Sequence, residues 1–105
     1  MEHPNFAESE ALAILRKVES HENQKSMSAE LGWSVGKANY ILKALVAKGL
    51  VKIDNFTNKK DKRKYRYLLT KKGIEEKIAL TERFIERKKA EYDELVAELE
   101  RMKSK

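Results

Sequence analysis

Four side chains between residues 37 and 43 have the chemistry and the spacing to read a patterned polar surface. Asn39 carries an amide that donates and accepts at once, Tyr40 a phenol that does either, and Lys37 and Lys43 each an ammonium on a long stem. All four lie opposite Ala38, Ile41, Leu42 and Leu45, whose spacings of three and four mark the buried face of one amphipathic helix. Ser34 is a fitting N-cap for that helix, and Lys48-Gly49 suits its last turn and the left-handed residue beyond it. The amide of Asn39 matches the bidentate pairing that an adenine offers in the DNA major groove, a contact worth about 1–3 kcal/mol of discrimination. Lys37, Tyr40 and Lys43 divide between base edges and phosphates. Ser34 caps the helix and can also bond a phosphate, because a helix N-terminus favours an anion. Gly36 costs helix stability in the first turn; close approach of a nucleic-acid backbone would explain it, and so would tolerance of weak propensity near a helix end.

The charge balance points the same way. The 105 residues carry a net +6, but nine Lys or Arg and only two Asp fall between Lys52 and Lys72. That segment alone holds +7, which leaves −1 for everything else. A basic excess confined to one stretch marks where an anionic partner sits. Lys59, Lys60, Lys62 and Arg63 are its centre and are expected to contact DNA phosphates, with an affinity that falls steeply with salt.

Other chemistries lack their residues. There is no cysteine, so disulfides and thiolate metal sites are excluded. His3 and His21 have no neighbours at ligand spacing, and no metal or other cofactor is expected. No nucleophile–base arrangement, paired carboxylates or glycine-rich phosphate loop stands out, so no enzyme is expected. No apolar run nears the roughly 20 residues of a membrane span, and the N-terminus has no signal-peptide pattern, so a cytoplasmic location away from membranes is the expectation.

The elements that must position these residues follow in order. Asn5 and Glu8 have capping-box spacing for a first helix that buries Leu12, Leu15 and Val18, with Ile14 beside them, and fades near Ser20-His21-Glu22. Asn23 caps a short helix from about Gln24 to Leu31, with Met27 and Leu31 inward and Ser28 small enough for a close helix approach. Gly32 ends it, Trp33 bridges, and the reading helix begins at Ser34, so the pair forms a helix-turn-helix. Leu50-Val51-Lys52-Ile53 and Tyr65-Arg66-Tyr67-Leu68-Leu69 then read as two strands of a hairpin with a long polar tip. Trp33, Tyr65 and Tyr67 read as packing residues rather than base-stacking platforms.

Thr70 starts a last helix. Ile74, Ile78, Thr81, Ile85, Lys88, Tyr92, Leu95, Leu99 and Met102 alternate in steps of four and three, a heptad seam that favours pairing with another helix. Leu80 and Phe84 widen the apolar face of its first half. A parallel pairing of two copies would place Lys77 by Glu82 and Glu98 by Lys103, both attractive, while an antiparallel pairing stays open.

The order of these parts resembles the MarR family of winged-helix transcriptional regulators over roughly residues 8–80. The resemblance is carried by Met27-Ser28-Ala29-Glu30-Leu31-Gly32-Trp33-Ser34, by Ala47-Lys48-Gly49-Leu50-Val51, by Asp61-Lys62-Arg63 and by Leu69-Thr70-Lys71-Lys72-Gly73. Within the family the chain is most similar to short MarR-type regulators associated with exopolysaccharide (EPS) gene clusters. The resemblance implies that Arg63 enters a minor groove, where narrow grooves favour Arg, and that Asp61 holds the wing in shape. One long helix stands here where larger members carry two.

The expectation is therefore a mainly α protein with a small β-hairpin wing. A winged helix-turn-helix DNA-binding domain covers 6–73 and a C-terminal coiled-coil dimerisation helix covers 74–103. Double-stranded DNA is the expected partner, bound at a pseudo-palindromic site by a homodimer joined through Ile78, Ile85, Tyr92, Leu95, Leu99 and Met102. The residues name no small-molecule effector. Two other readings stay open: a winged helix that binds RNA, and a protein-interaction module whose last helix enters a heteromeric coiled coil.

Overall fold

The computed structural model describes residues 6–20, 24–55 and 65–104. Four helices and one hairpin follow in the order α1 (Glu8–Lys17), α2 (Gln24–Leu31), α3 (Val35–Ala47), β1 (Val51–Asn55), β2 (Tyr65–Leu69) and α4 (Lys71–Lys103). Leu12, Ile14, Leu15 and Val18 from the first helical segment meet Met27 of α2 and Ala38, Ile41, Leu42 and Leu45 of α3 in one core. Leu50, Val51, Tyr67 and Leu80 close it from the hairpin and α4. The three-and-four spacing seen in the sequence is thus the core face of the first three helices.

The first helix starts differently from its sequence signal. Ala7 is the N-cap, and the Glu10 carboxylate accepts from the Ala7 backbone N–H at 3.0 Å. Asn5, the expected cap, lies outside the described residues, as do Asn23, His3 and His21. Glu8, the expected reciprocal partner of Asn5, instead faces α4, with its carboxylate 3.0 Å from Arg87 and 3.5 Å from Arg83.

The turn between α2 and α3 closes in the left-handed manner that its glycine allows. Gly32 has φ +71°, and the Trp33 N–H reaches back to the Ser28 carbonyl at 2.9 Å. Gly49 repeats the device after α3 with φ +76°, and the Leu50 N–H donates to the Leu45 carbonyl at 2.9 Å. Leu50 therefore belongs to the helix end rather than to the strand. The strand runs two residues further than its apolar pattern suggests, because Asp54 and Asn55 pair across the antiparallel ladder with Arg66 and Tyr65. Backbone pairing needs no apolar side chain, so the polar end of β1 gives no sequence signal.

Three hydrogen bonds and one close backbone approach join the end of α3 to the start of α4. The Thr70 hydroxyl accepts from the Gly73 N–H at 2.9 Å and donates to the Gly49 carbonyl at 2.6 Å. The Thr70 N–H donates to the Leu50 carbonyl at 3.1 Å, and the Lys72 ammonium donates to the Lys48 carbonyl at 3.2 Å. A Cβ at Gly73 would lie 1.9 Å from the Leu50 carbonyl oxygen, so only glycine fits there. The carbonyls of the three residues that follow α3 are thus satisfied by Thr70 and Lys72 at the start of α4.

From that junction α4 runs unbroken for 33 residues. Gly73 and Leu80 are buried, Phe84 is half-buried against the core, and Arg83 and Arg87 reach Glu8 of α1. Beyond Arg87 the helix leaves the domain, which is why the molecule measures 70 × 27 × 24 Å.

Candidate nucleic-acid interface

The reading helix α3 begins where Ser34 predicts, with its hydroxyl accepting from the Lys37 N–H at 3.1 Å. Its core face holds Ala38, Ile41, Leu42 and Leu45, all buried. Directly opposite, Gly36, Tyr40, Lys43 and Ala47 form one exposed line at helical spacing. Lys37 and Asn39 sit on the two flanks of that line, and each is engaged by a different neighbour.

On the α1 flank, Glu10 forms an ion pair with the Lys37 ammonium, which also lies 4.6 Å from the centre of the Trp33 ring. The Lys37 ammonium, followed by the Ala7 N–H, holds the Glu10 carboxyl below its ordinary range. Tyr40, half exposed, meets Phe6 edge-to-face with ring centres 6.3 Å apart. Phe6 in turn lies beneath the Lys48 ammonium, 5.7 Å from its ring centre.

On the other flank, Asn39 lies between α2 and the hairpin. The Gln24 side-chain amide donates to the Tyr67 hydroxyl at 2.6 Å and reaches the Asn39 carbonyl oxygen at 3.4 Å. Gln24, Asn39 and Tyr67 line a cleft of 360 Å³ whose other walls are Leu42, Lys43, Val46 and Ile53. Trp33 is half-buried and Tyr67 buried, in agreement with their reading as packing residues. Tyr67 also has a polar task that the sequence did not reveal, and neither Gln24 nor Glu10 stood out there. Glu10 lies 27 residues before Lys37, and Gln24 15 before Asn39, so no local spacing links either pair.

Of the sequence-derived DNA contacts, Ser34, Lys37, Asn39, Tyr40 and Lys43 therefore come together on one surface. Lys59, Lys60, Lys62 and Arg63 lie outside the described residues, in the sequence between β1 and β2. Among the described residues no cluster of His, Cys, Asp or Glu could hold a metal ion, and no helix is long and apolar enough to cross a membrane.

The seam on α4 is open. Ile78, Ile85, Tyr92, Leu95, Leu99 and Met102 are between 48% and 67% exposed, although they share one face. Its two polar positions are satisfied within the helix itself. Thr81 donates to the Lys77 carbonyl at 2.6 Å, and the Lys88 ammonium lies 5.2 Å from the Phe84 ring centre and 3.5 Å from Glu91.

A helix-turn-helix followed by an antiparallel hairpin, with the second helix presenting its polar face, defines a winged helix. Solved structures share this fold. A MarR transcriptional regulator from Methanosarcina mazei Go1 matches with a TM-score of 0.66 and 25% identity, covering 90% of this chain and 73% of its own. The Staphylococcus aureus MepR–DNA complex matches at 0.64 and 22%, covering 90% and 77%. Staphylococcus aureus MarR in complex with salicylate and kanamycin matches at 0.64 and 24%, covering 81% of this chain. The present chain spans 57% of that last protein's length. No protein-family model and no curated protein sequence matches the chain. The chain carries the MarR-family winged-helix fold.

Proposed function

We propose that the protein is a transcriptional regulator that binds double-stranded DNA sequence-specifically as a homodimer. The observation that carries this reading is α3, a capped helix of 13 residues whose Ser34, Lys37, Asn39, Tyr40 and Lys43 share one face beside a hairpin. A helix so presented enters the wide major groove of B-DNA, whereas the deep, narrow major groove of A-form RNA excludes it. That one MepR structure is a complex with DNA supports the same partner. Asn39 reads a base, Tyr40 and Lys43 share base edges and phosphates, and the Lys59–Arg63 segment supplies affinity from the backbone. Lys37 exchanges its Glu10 carboxylate for a phosphate.

Gly36 supports an external partner. A Cβ there would meet nothing nearer than the Ser34 hydroxyl at 4.0 Å, so nothing inside the protein requires a glycine at this exposed position. The homodimer is supported by the open seam of α4, since contiguous apolar stripes of this kind mark interaction surfaces. Paired through Ile78, Ile85, Tyr92, Leu95, Leu99 and Met102, two copies would meet a pseudo-palindromic site with recognition helices roughly 34 Å apart. The assignment to exopolysaccharide genes is carried by the sequence resemblance.

Competition binding at about 150 mM salt tests the reading. Random B-form duplex should displace a bound labelled duplex, and single strands or RNA duplex of equal length should do so at least tenfold less well. Equal or better displacement by RNA would replace this function with RNA binding.

A further inference from the structure

Gln24 opens α2, Tyr67 stands in β2, and Asn39 lies in α3, so three elements contribute one side chain each to a single polar line. Gln24 is its middle member. The two hydrogens of its Nε2 serve two acceptors, the Tyr67 hydroxyl at 2.6 Å and the Asn39 Oδ1 at 3.4 Å. Tyr67 is only 6% exposed, which anchors the line in the core. Rotating both amides together exchanges donors for acceptors and leaves the same three groups joined.

Resting on the reading of Asn39 as a base contact, we propose that Gln24 is a positioning residue for it, held in turn by the Tyr67 hydroxyl. An isolated Asn side chain has a broad terminal torsion, so its amide plane is poorly fixed when it reaches a base. The bond from Gln24 fixes one edge of that plane. The Asn39 carbonyl oxygen keeps its second lone pair and the amide its two hydrogens, so the bidentate pattern for adenine survives. Because Tyr67 belongs to the hairpin, a shift of the hairpin on the DNA backbone would pass directly to the reading amide. Specificity in this molecule thus depends on a residue of α2 that need not touch the base itself.

The test uses the duplex enriched from a random pool by the full-length protein, together with its single-base variants and a random duplex. Asn39→Ala should lower discrimination at one base step by about tenfold or more. Gln24→Ala and Tyr67→Phe should each lower discrimination at that same step by at least threefold, with unchanged affinity for random duplex and an unchanged salt slope. Adding Gln24→Ala to Asn39→Ala should cost nothing further at that step. Tyr67→Phe keeps the ring in the core, so its melting temperature shows whether the fold is intact. If Asn39→Ala relaxes a step while Gln24→Ala and Tyr67→Phe leave it unchanged, positioning by Gln24 is refuted and the reading of Asn39 stands. If Asn39→Ala relaxes no step, Asn39 is not a reader and the proposal falls with it.

Discussion

At the scale of single residues, the surface around α3 sets stability against binding. Gly36 weakens the first turn of its helix and nothing within the protein fills the space beside it. Gly36→Ala should therefore raise stability by a few tenths up to about 1 kcal/mol while weakening duplex binding. Thermal melting and a binding titration on the same preparation check both signs, and tighter binding would show that the position faces no partner. Glu10 gives a pH signature. Lys37 and the Ala7 N–H depress its pKa in the folded protein, so its contribution to stability is present above the ordinary carboxylate range. That contribution is lost as pH falls through the depressed value. The stability gap between wild type and Glu10→Gln should thus be largest near neutrality and close in acid, as melting temperature against pH would record. At the wing, Arg63→Ala should weaken binding to many sequences alike, in contrast to the single-step effect of Asn39→Ala.

At the scale of elements, the junction of α3 with α4 explains two sequence stretches at once. Thr70 caps α4 and binds the Gly49 carbonyl, while Gly73 leaves room for the Leu50 carbonyl. Thr70→Ala should cost about 0.5–2 kcal/mol, as lost N-caps do. Gly73→Ala should cost about 1–3 kcal/mol, because the two backbones must separate. Denaturant unfolding measures both, and a neutral Gly73→Ala would mean that α4 is not seated as described. This junction also shows why most of the fold was legible. Ser34, Gly32, Gly49, Thr70 and the spacing of apolar residues are local signals, and each marks a helix end or a core face in the structure. The polar end of β1 was not legible, since ladder pairing of Asp54 and Asn55 leaves no mark in side-chain type. Nor were the partners of the reading face. Asn39 and Lys37 could be picked out by residue type and helical position, but Gln24, Tyr67 and Glu10 come to them through tertiary packing of distant segments.

At the scale of the whole molecule, a small domain holds the first half of α4 and leaves the second half extended. Arg83 and Arg87 tie the helix to Glu8 at the edge of the domain, in exposed pairs each worth about 0–1 kcal/mol. Apolar packing of Leu80 and Phe84 is the firmer attachment there. Beyond it, Tyr92, Leu95, Leu99 and Met102 present one apolar stripe with no domain beneath it. Two Glu substitutions, Leu95→Glu with Leu99→Glu, should yield a monomer in sedimentation at tens of micromolar while the melting of the domain changes little. A wild-type monomer at that concentration would remove the homodimer and favour a heteromeric partner for the helix. The most direct test of the central claim is selection of bound fragments from random duplex DNA at physiological salt. An enriched inverted repeat with half-sites about one helical turn apart is the expected result. Recovery of unenriched sequence, or of a single half-site alone, would contradict it.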